Sequence, residues 1–261
     1  MTRGALLLLL WLPGLAAAQT GARPRIRLDV AALTADLESG DLERMRRALS
    51  SLGASGSAGA VPALSAFIRR GPPGALLLPA IDALGALGRA DTADALAPLL
   101  RHRRPEVRAR AAVALAPLKS DSVSRALVVA LGDPHESVRG AAAQALATAG
   151  TAEAVEPLLR AVEAGSLSAA PAVGAIGGAA HCDRLIEMSS RVGIAAVLPA
   201  FRLFLLRRDV PERQRLELVD RLASSGTPEI RVFLESLREQ VPRAQRRLRE
   251  KIAEVLGVSA Q

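Results

Sequence analysis

The side chains that most often carry chemistry in proteins are scarce in this sequence. It contains three histidines, His102, His135 and His181, one cysteine, Cys182, and no tyrosine. The run His181-Cys182-Asp183 combines three types of metal ligand. Adjacent side chains on a helix point in different directions, however, and no second cluster completes a set of four ligands. We therefore interpret Cys182 as a small buried residue, and as the only cysteine it cannot form an intramolecular disulfide.

A glycine-rich segment is the other pattern with a known chemical use. Gly174, Gly177 and Gly178 lie close together, but the segment lacks the preceding strand and the spacing of a phosphate-binding loop. We interpret it as a place of close helix packing. It is also the expected soft joint, because each glycine in a helix interior costs about 1 kcal/mol relative to alanine. The sequence thus predicts no catalytic residue, no metal site and no cofactor.

Arginine supplies the remaining candidates. Lysine and arginine together number 34 against 26 acidic residues, for a net charge of +8. Several arginines lie where first helices of helix pairs are expected to end, so a regular stack would align them along one edge. They interact favourably with helix dipoles, by about 0.3 to 1 kcal/mol each, or they attract an acidic protein, an anionic envelope polymer or lipid headgroups. These arginines are Arg69, Arg70, Arg101, Arg103, Arg104, Arg207 and Arg208.

A repeat of 31 residues determines the elements that carry these side chains. Leu84, Leu115 and Leu146 recur at this interval, and apolar residues within each unit follow the helical spacing i, i+3, i+4 and i+7. Glycine or proline divides each unit into a helix A and a helix B, for example at Arg104-Pro105. Neither helix is long enough to be stable alone, so each pair must pack against the next in a one-dimensional stack.

The repeated residues resemble HEAT repeats, in particular the phycobilisome-lyase-type or E-Z type. The best match spans 126–146, with Asp133-Pro134 in the turn and Val138-Arg139 at the start of helix B, and the clearest repeats cover 60–170. The resemblance implies an all-α fold, an α-solenoid that forms a right-handed superhelix of antiparallel helix hairpins. It also implies that helix B lines the concave surface. The residues then expected to reach a partner, together with Arg101, Arg103 and Arg104 on the edge, are Arg108, Arg110, Arg139 and Gln144.

An alternative role for Arg108 and Arg139 is hydrogen bonding between repeats. In the family, a turn aspartate helps to tie neighbouring turns to the arginine of helix B. Only Asp133 fits that position, because its equivalents are His102 and Ala164. A continuous aspartate and arginine ladder is therefore not predicted.

A second alternative follows from the same resemblance, because E-Z proteins include bilin lyases and a di-iron hydroxylase with repeated His-Glu ligand pairs. This sequence has one such pair, His135-Glu136, which lies in the turn before helix B. The positions that correspond to the hydroxylase ligands are Gly140 and Ala141. The pattern therefore favours a protein that is not an enzyme, with a bilin lyase-like or metal-dependent hydroxylase-like enzyme as the alternative.

The flanks of the clear repeats are also predicted to be helical. Asp41 is the expected N-cap of a helix that extends through Leu52. Irregular helices and a terminal cap are expected within 181–257, and the last helix has the polar outer face that a capping helix needs. These helices are expected near 183–191, 194–208, 211–223, 227–239 and 243–256.

The N-terminus has the pattern of a secretory signal peptide. Arg3 precedes an apolar run over 5–15, and small residues follow at 16–18. The pattern predicts cleavage after Ala18, which divides the chain into a signal peptide, 1–18, and one HEAT-like domain, 19–261. An uncleaved anchor is the alternative, although the run is shorter than the roughly 20 residues of a membrane span. We expect the protein in the periplasm or secreted.

Taken together, the sequence predicts a non-enzymatic, extracytoplasmic scaffold that binds another protein, and an acidic protein is one candidate for this partner. Peripheral binding to an anionic envelope surface stays open as an alternative. Nucleic acid is not expected, because aromatic residues make up 2% of the chain and the net charge of +8 is modest.

Overall fold

The computed structural model describes residues 29–258, so the predicted signal peptide lies outside the described residues. Within that range the protein is entirely helical, with no strand, which confirms the predicted fold class. The α-helices are α1 Val30–Asp36, α2 Leu42–Ala54, α3 Ala60–Arg69, α4 Gly74–Leu87, α5 Ala93–Leu96, α6 Pro105–Leu115, α7 Asp121–Ala130, α8 Glu136–Ala149, α9 Val155–Glu163, α10 Ala170–Ile176, α11 Ala179–Val192, α12 Ile194–Leu206, α13 Glu212–Ser224, α14 Pro228–Gln240 and α15 Arg246–Leu256. Short 3-10 helices precede α9 and α10 and flank α5 on both sides.

The helices form two layers. Each odd-numbered helix packs against the even-numbered helix that follows it, up to α14. Even-numbered helices also pack against the next even-numbered helix, from α2 to α14. Among the odd-numbered helices such contacts join α1 to α3, α3 to α5, and each of α9, α11 and α13 to the next. This is the predicted stack of hairpins. Because the even layer is packed more closely along the stack, we infer that the stack bends toward it and that the even layer forms the concave side.

The leucines that define the 31-residue repeat form the core of this stack. Leu84, Leu115 and Leu146 from the even layer are fully buried, as are Leu96 and Leu127 from the odd layer. Because the apolar residues recur at the same place in each hairpin, the core is one continuous cluster that runs through the stack. Burial of such a leucine side chain contributes about 1.5 to 3 kcal/mol.

Local signals begin and end the helices as expected. The side chain of Asp41 accepts hydrogen bonds from the backbone N–H groups of Glu43 and Arg44, at 2.8 and 3.2 Å, and so caps α2. Gly88 and Gly150 follow α4 and α8 with φ angles of 58° and 71°, a left-handed conformation that glycine adopts without a steric penalty.

Glycines also set the distance between neighbouring even helices. A Cβ atom on Gly85 of α4 would lie 2.9 Å from the Cβ atom of Ala114 in α6, and one on Gly174 of α10 would lie 2.0 Å from the backbone oxygen of Ala200 in α12. Gly53 in α2 approaches α4 in the same way. These contacts confirm the close packing predicted at Gly174, and α10 ends just before Gly177.

Two expectations about the elements are wrong. The 31-residue unit has room for two helices of three turns, but the first helix of the third hairpin is not of this kind. The α5 helix has four residues, with a 3-10 helix on each side, and Pro98 is the second residue of the later one. Arg207 and Arg208 follow α12, an even helix, so they lie on the edge opposite Arg101 and Arg103. The reason is that hairpins alternate without interruption into the C-terminal part, so α12 is a second helix and not a first one.

None of the helices that the structure describes combines the length and apolar character needed to cross a membrane.

Candidate partner-binding surfaces

Arg108 lies in the first turns of α6 and joins its own hairpin to the next. Its Nε and Nη2 atoms donate to the two carboxylate oxygens of Asp133, at 2.7 and 2.8 Å. Its Nη1 atom donates to the backbone oxygens of His102 and Arg103, at 2.8 and 3.3 Å. The side chain is almost fully buried. A bidentate arginine and carboxylate pair in such a position fixes the geometry of two neighbouring turns.

Arg139 has the equivalent position in α8 and a similar role. Its Nη1 atom donates to the backbone oxygens of Asp133 and Pro134, at 2.8 and 3.1 Å, and it forms an ion pair with Glu136. Its Nε atom donates to the hydroxyl of Ser166 in the next turn, at 3.2 Å. The turn serine therefore extends the ladder by one step. Sequence reasoning missed it because Ser166 lies 33 residues after Asp133, two more than the repeat.

The ion pair between Arg108 and Asp133 also changes the acidity of the Asp133 carboxylate. Hydrogen bonds from the Arg108 guanidinium hold the pKa of Asp133 below its ordinary value, and the backbone N–H of His135 contributes in the same direction. Asp133 is therefore a carboxylate throughout the physiological range. Arg108 and Arg139 were both expected to reach a partner, but their guanidinium groups are engaged between repeats. This is the alternative role that the sequence left open for these two residues.

Arg110 and Gln144 lie on the solvent-exposed face of the even layer. Arg110 of α6 pairs with Asp82 of α4, with its Nη1 atom 3.1 Å from both carboxylate oxygens, and both side chains are about half exposed. An exposed pair of this kind contributes about 0 to 1 kcal/mol, so a partner could compete for either group. Gln144 of α8 is exposed.

The turn before α6 carries exposed cations. Arg101 and Arg103 are exposed and have no ion pair or hydrogen-bond partner for their guanidinium groups among residues 29–258. Arg104 lies 3.8 Å from Glu106, and Arg69, at the equivalent end of α3, is exposed and unpaired within the same range. We call Arg69, Arg101, Arg103 and Arg104 the basic edge.

A groove adjoins the basic edge. It lies between the segment 94–101 and α7, has a volume of 680 Å³, and includes Arg101 in its lining. Pro98, Leu100 and Val129 supply apolar surface, and Val129 is 73% exposed. A cation without a partner beside an exposed aliphatic side chain is a combination found at protein-binding surfaces.

The histidines and the cysteine have local roles. His135 is an exposed residue at the start of α8, and the Nδ1 atom of His181 accepts a hydrogen bond from the backbone N–H of Gly178, at 2.9 Å. Cys182 is buried as predicted, and burial raises its pKa to about 12. A crosslink between chains through this thiol would first need α11 to open. Within the described range, no three His, Cys, Asp or Glu side chains are placed to hold a metal ion.

Residues 95–167 match a family model described as HEAT repeats, which confirms the resemblance drawn from the sequence for this part of the chain. No curated protein matches the chain significantly. Three solved structures with a similar fold are a complex of CpcE and CpcF of phycocyanin lyase from Nostoc sp. PCC7120, human deoxyhypusine hydroxylase in complex with glycerol, and an engineered protein.

These three similarities are distant in sequence. The phycocyanin lyase structure has 20% identity and a TM-score of 0.49, over 90% of this chain and 96% of the other. The hydroxylase has 19% identity and a TM-score of 0.42, over 87% and 96%. The engineered protein has 19% identity and a TM-score of 0.37, over 87% and 97%.

The comparisons correct one prediction. The sequence pattern favoured a protein that is not an enzyme, and that exclusion is wrong as drawn, because two of the similar structures are named as a lyase and a hydroxylase. The absence of a recognised catalytic pattern in the sequence is no ground for excluding catalysis.

Replacing Asp133 by asparagine is expected to destabilise the protein by about 2 kcal/mol, because the buried Arg108 guanidinium loses its charged partner. The folded-state pKa of Asp133 is lowered, so the pair stabilises the fold above the ordinary aspartate pKa of about 3.9. That stabilisation is lost as the pH falls through the lower folded pKa.

Urea unfolding of the Asp133→Asn variant and of the parent protein, at several pH values, measures this loss of stability and its dependence on pH. The difference in unfolding free energy should be constant from about pH 7 to about pH 5 and should shrink below about pH 4. Asp82→Asn is the matched control, since its partner Arg110 is exposed, and we expect a change of at most about 0.5 kcal/mol. Equal losses in the two variants would contradict the role assigned to the buried pair.

Proposed function

We propose that the protein binds another protein, with an acidic surface, along the basic edge and the groove beside it. The observation that carries the proposal is the contrast between arginines that are close in sequence. Arg108 in α6 is buried and bonded to Asp133, whereas Arg101 and Arg103 before α6 are exposed without a partner in the described range. Guanidinium groups that form no ion pair or hydrogen bond within the described part of the stack are available to a ligand.

The chemistry of these groups favours carboxylates as the bound groups. Guanidinium groups bind carboxylates in a bidentate manner and are weakly hydrated, which suits protein interfaces. Val129 and Leu100 in the adjoining groove add apolar area that a hydrophobic side chain of the partner can cover. A surface of anionic lipid headgroups would satisfy the arginines but would leave this groove empty, so a protein partner fits more of the surface.

We also propose that binding takes place outside the cytoplasm. The support is the sequence pattern over 1–18, with a positive residue, an apolar run and small residues before Gln19. Mass spectrometry of the exported protein is expected to find Gln19 as its first residue. A full-length chain that fractionates with the cytoplasm would contradict this proposal.

The triple substitution of Arg101, Arg103 and Arg104 by alanine tests the basic edge. The partner is first captured from an envelope fraction with the unmodified protein, identified, and then titrated in purified form at low salt. We expect the dissociation constant to rise about tenfold, which corresponds to about 1.4 kcal/mol, because three exposed charges each contribute a few tenths of a kcal/mol. Added salt should weaken the unmodified complex toward the affinity of the variant.

The matched control replaces Arg213, Arg231 and Arg246 by alanine, which removes the same net charge from exposed sites elsewhere. Each of these arginines pairs with a glutamate four residues later on its own helix. Unchanged affinity of the basic-edge variant at low salt, or an equal loss in the control, would contradict the proposal. Co-sedimentation of the unmodified protein with anionic vesicles, lost in the basic-edge variant, would instead support binding to a lipid surface.

A further inference from the structure

A second groove runs between α12 and α14, on the surface of the even layer in the C-terminal part of the stack. It has a volume of 560 Å³ and is lined mainly by apolar side chains. Leu203 of α12 and Val232 of α14 are 41% and 64% exposed, although both are large aliphatic residues. Apolar side chains that gather at one concave place without cover mark an interaction site.

One cation lies within this apolar groove. The guanidinium carbon of Arg202 lies 5.9 Å from the centre of the Phe233 ring, and the buried Nε–H group of Arg202 has no hydrogen-bond partner. Among the described residues, no carboxylate pairs with Arg202. The aromatic ring holds the guanidinium in place, but it does not neutralise the charge. The Nη groups of Arg202 also form no hydrogen bond or ion pair with the described residues, so they are the donors that a ligand in the groove can use.

A carboxylate marks one end of the same groove. Glu229 lies in the first turn of α14, four residues before Phe233, so its backbone is displaced by about 6 Å along the helix axis from that of Phe233. The two groups do not form an ion pair, although both line the groove. The groove thus has a positive centre, apolar walls and a negative end.

We propose that this groove binds a segment of a partner protein that presents a carboxylate between aliphatic or aromatic side chains. The carboxylate would pair with Arg202, and the flanking side chains would cover Leu203 and Val232. Charge complementarity selects the occupant, because an uncharged apolar segment would bury the guanidinium without a counter-charge, which is strongly unfavourable. The groove shares no residue with the basic edge, so this inference does not rest on the function proposed above.

The experiment is a selection of random twelve-residue peptides displayed on phage against the full-length protein. Peptides that bind the unmodified protein are counter-selected against the Val232→Asp variant, which places a carboxylate in the groove. Because Val232 is largely exposed, this substitution leaves the core intact. The selected peptides are expected to carry an aspartate or glutamate next to aliphatic or aromatic residues.

Affinity measurements on one selected peptide then locate the contact. The dissociation constant should rise at least tenfold for Val232→Asp and for Arg202→Met, a substitution that keeps the packing on Phe233 and removes the charge. It should stay unchanged for Val113→Asp, the matched control, since Val113 is 51% exposed on α6 and lines neither groove. Changing the peptide carboxylate to an amide should weaken binding to the unmodified protein but not to Arg202→Met.

Three outcomes would overturn the inference. Selected peptides without an acidic residue would remove the role of Arg202. Concentration-dependent dimerisation of the unmodified protein, abolished by Val232→Asp, would assign the groove to a second copy of the chain. Co-sedimentation with phosphatidylglycerol vesicles that is lost in Val232→Asp and retained in Val113→Asp would assign it to a lipid surface.

Discussion

The close approach of neighbouring even-numbered helices is the constraint on which the rest of the structure depends. At Gly85 and Gly174 the backbones of adjacent helices are so near that the Cβ atom of any other residue would overlap the neighbouring alanine. Because single helices of this length are not stable in water, each hairpin depends on that contact with the next. The spacing in this layer sets the direction in which the stack bends and the surface that it offers.

The composition follows from the same constraint. Alanine and glycine at the crossings allow the helices to approach, and leucine fills the space between the two layers, so the core needs few aromatic residues. Polar residues are then divided between two tasks. Arg108 and Arg139 link one turn to the next, while Arg101 and Arg103 take no part in these links. Arg202, in the groove between α12 and α14, takes no part in these links either, because its guanidinium is held only by the Phe233 ring.

Much of the fold could be predicted from the 31-residue period, since burial at Leu84, Leu115 and Leu146 requires only that the helical pattern repeats. The close contact at Gly174 could be predicted because glycine in a helix has few other uses. The edge that carries Arg207 and Arg208 could not, because the period fades after 170 and the layer of a helix depends on counting every hairpin before it.

The candidate surfaces were less accessible to sequence reasoning. Whether an arginine is free depends on acidic residues from other hairpins, as Asp133 shows for Arg108 and Asp82 for Arg110. The groove at Arg202 lies outside the clear repeats, and its one signal in the sequence is an arginine among apolar residues on α12. The function was least accessible, because neither the repeat nor the composition identifies a partner or a reaction.

Unfolding free energies of single glycine variants test the central role of the even layer most directly. Gly85→Ala and Gly174→Ala should each destabilise the protein by about 1 to 3 kcal/mol, since the added methyl group meets backbone atoms of the next helix. Gly140→Ala in α8, where the new Cβ atom would lie 3.4 Å from Ser168, should stabilise it by about 0.4 to 1 kcal/mol. Stabilisation by all three substitutions would show that the even helices are not held at this distance and would contradict the account.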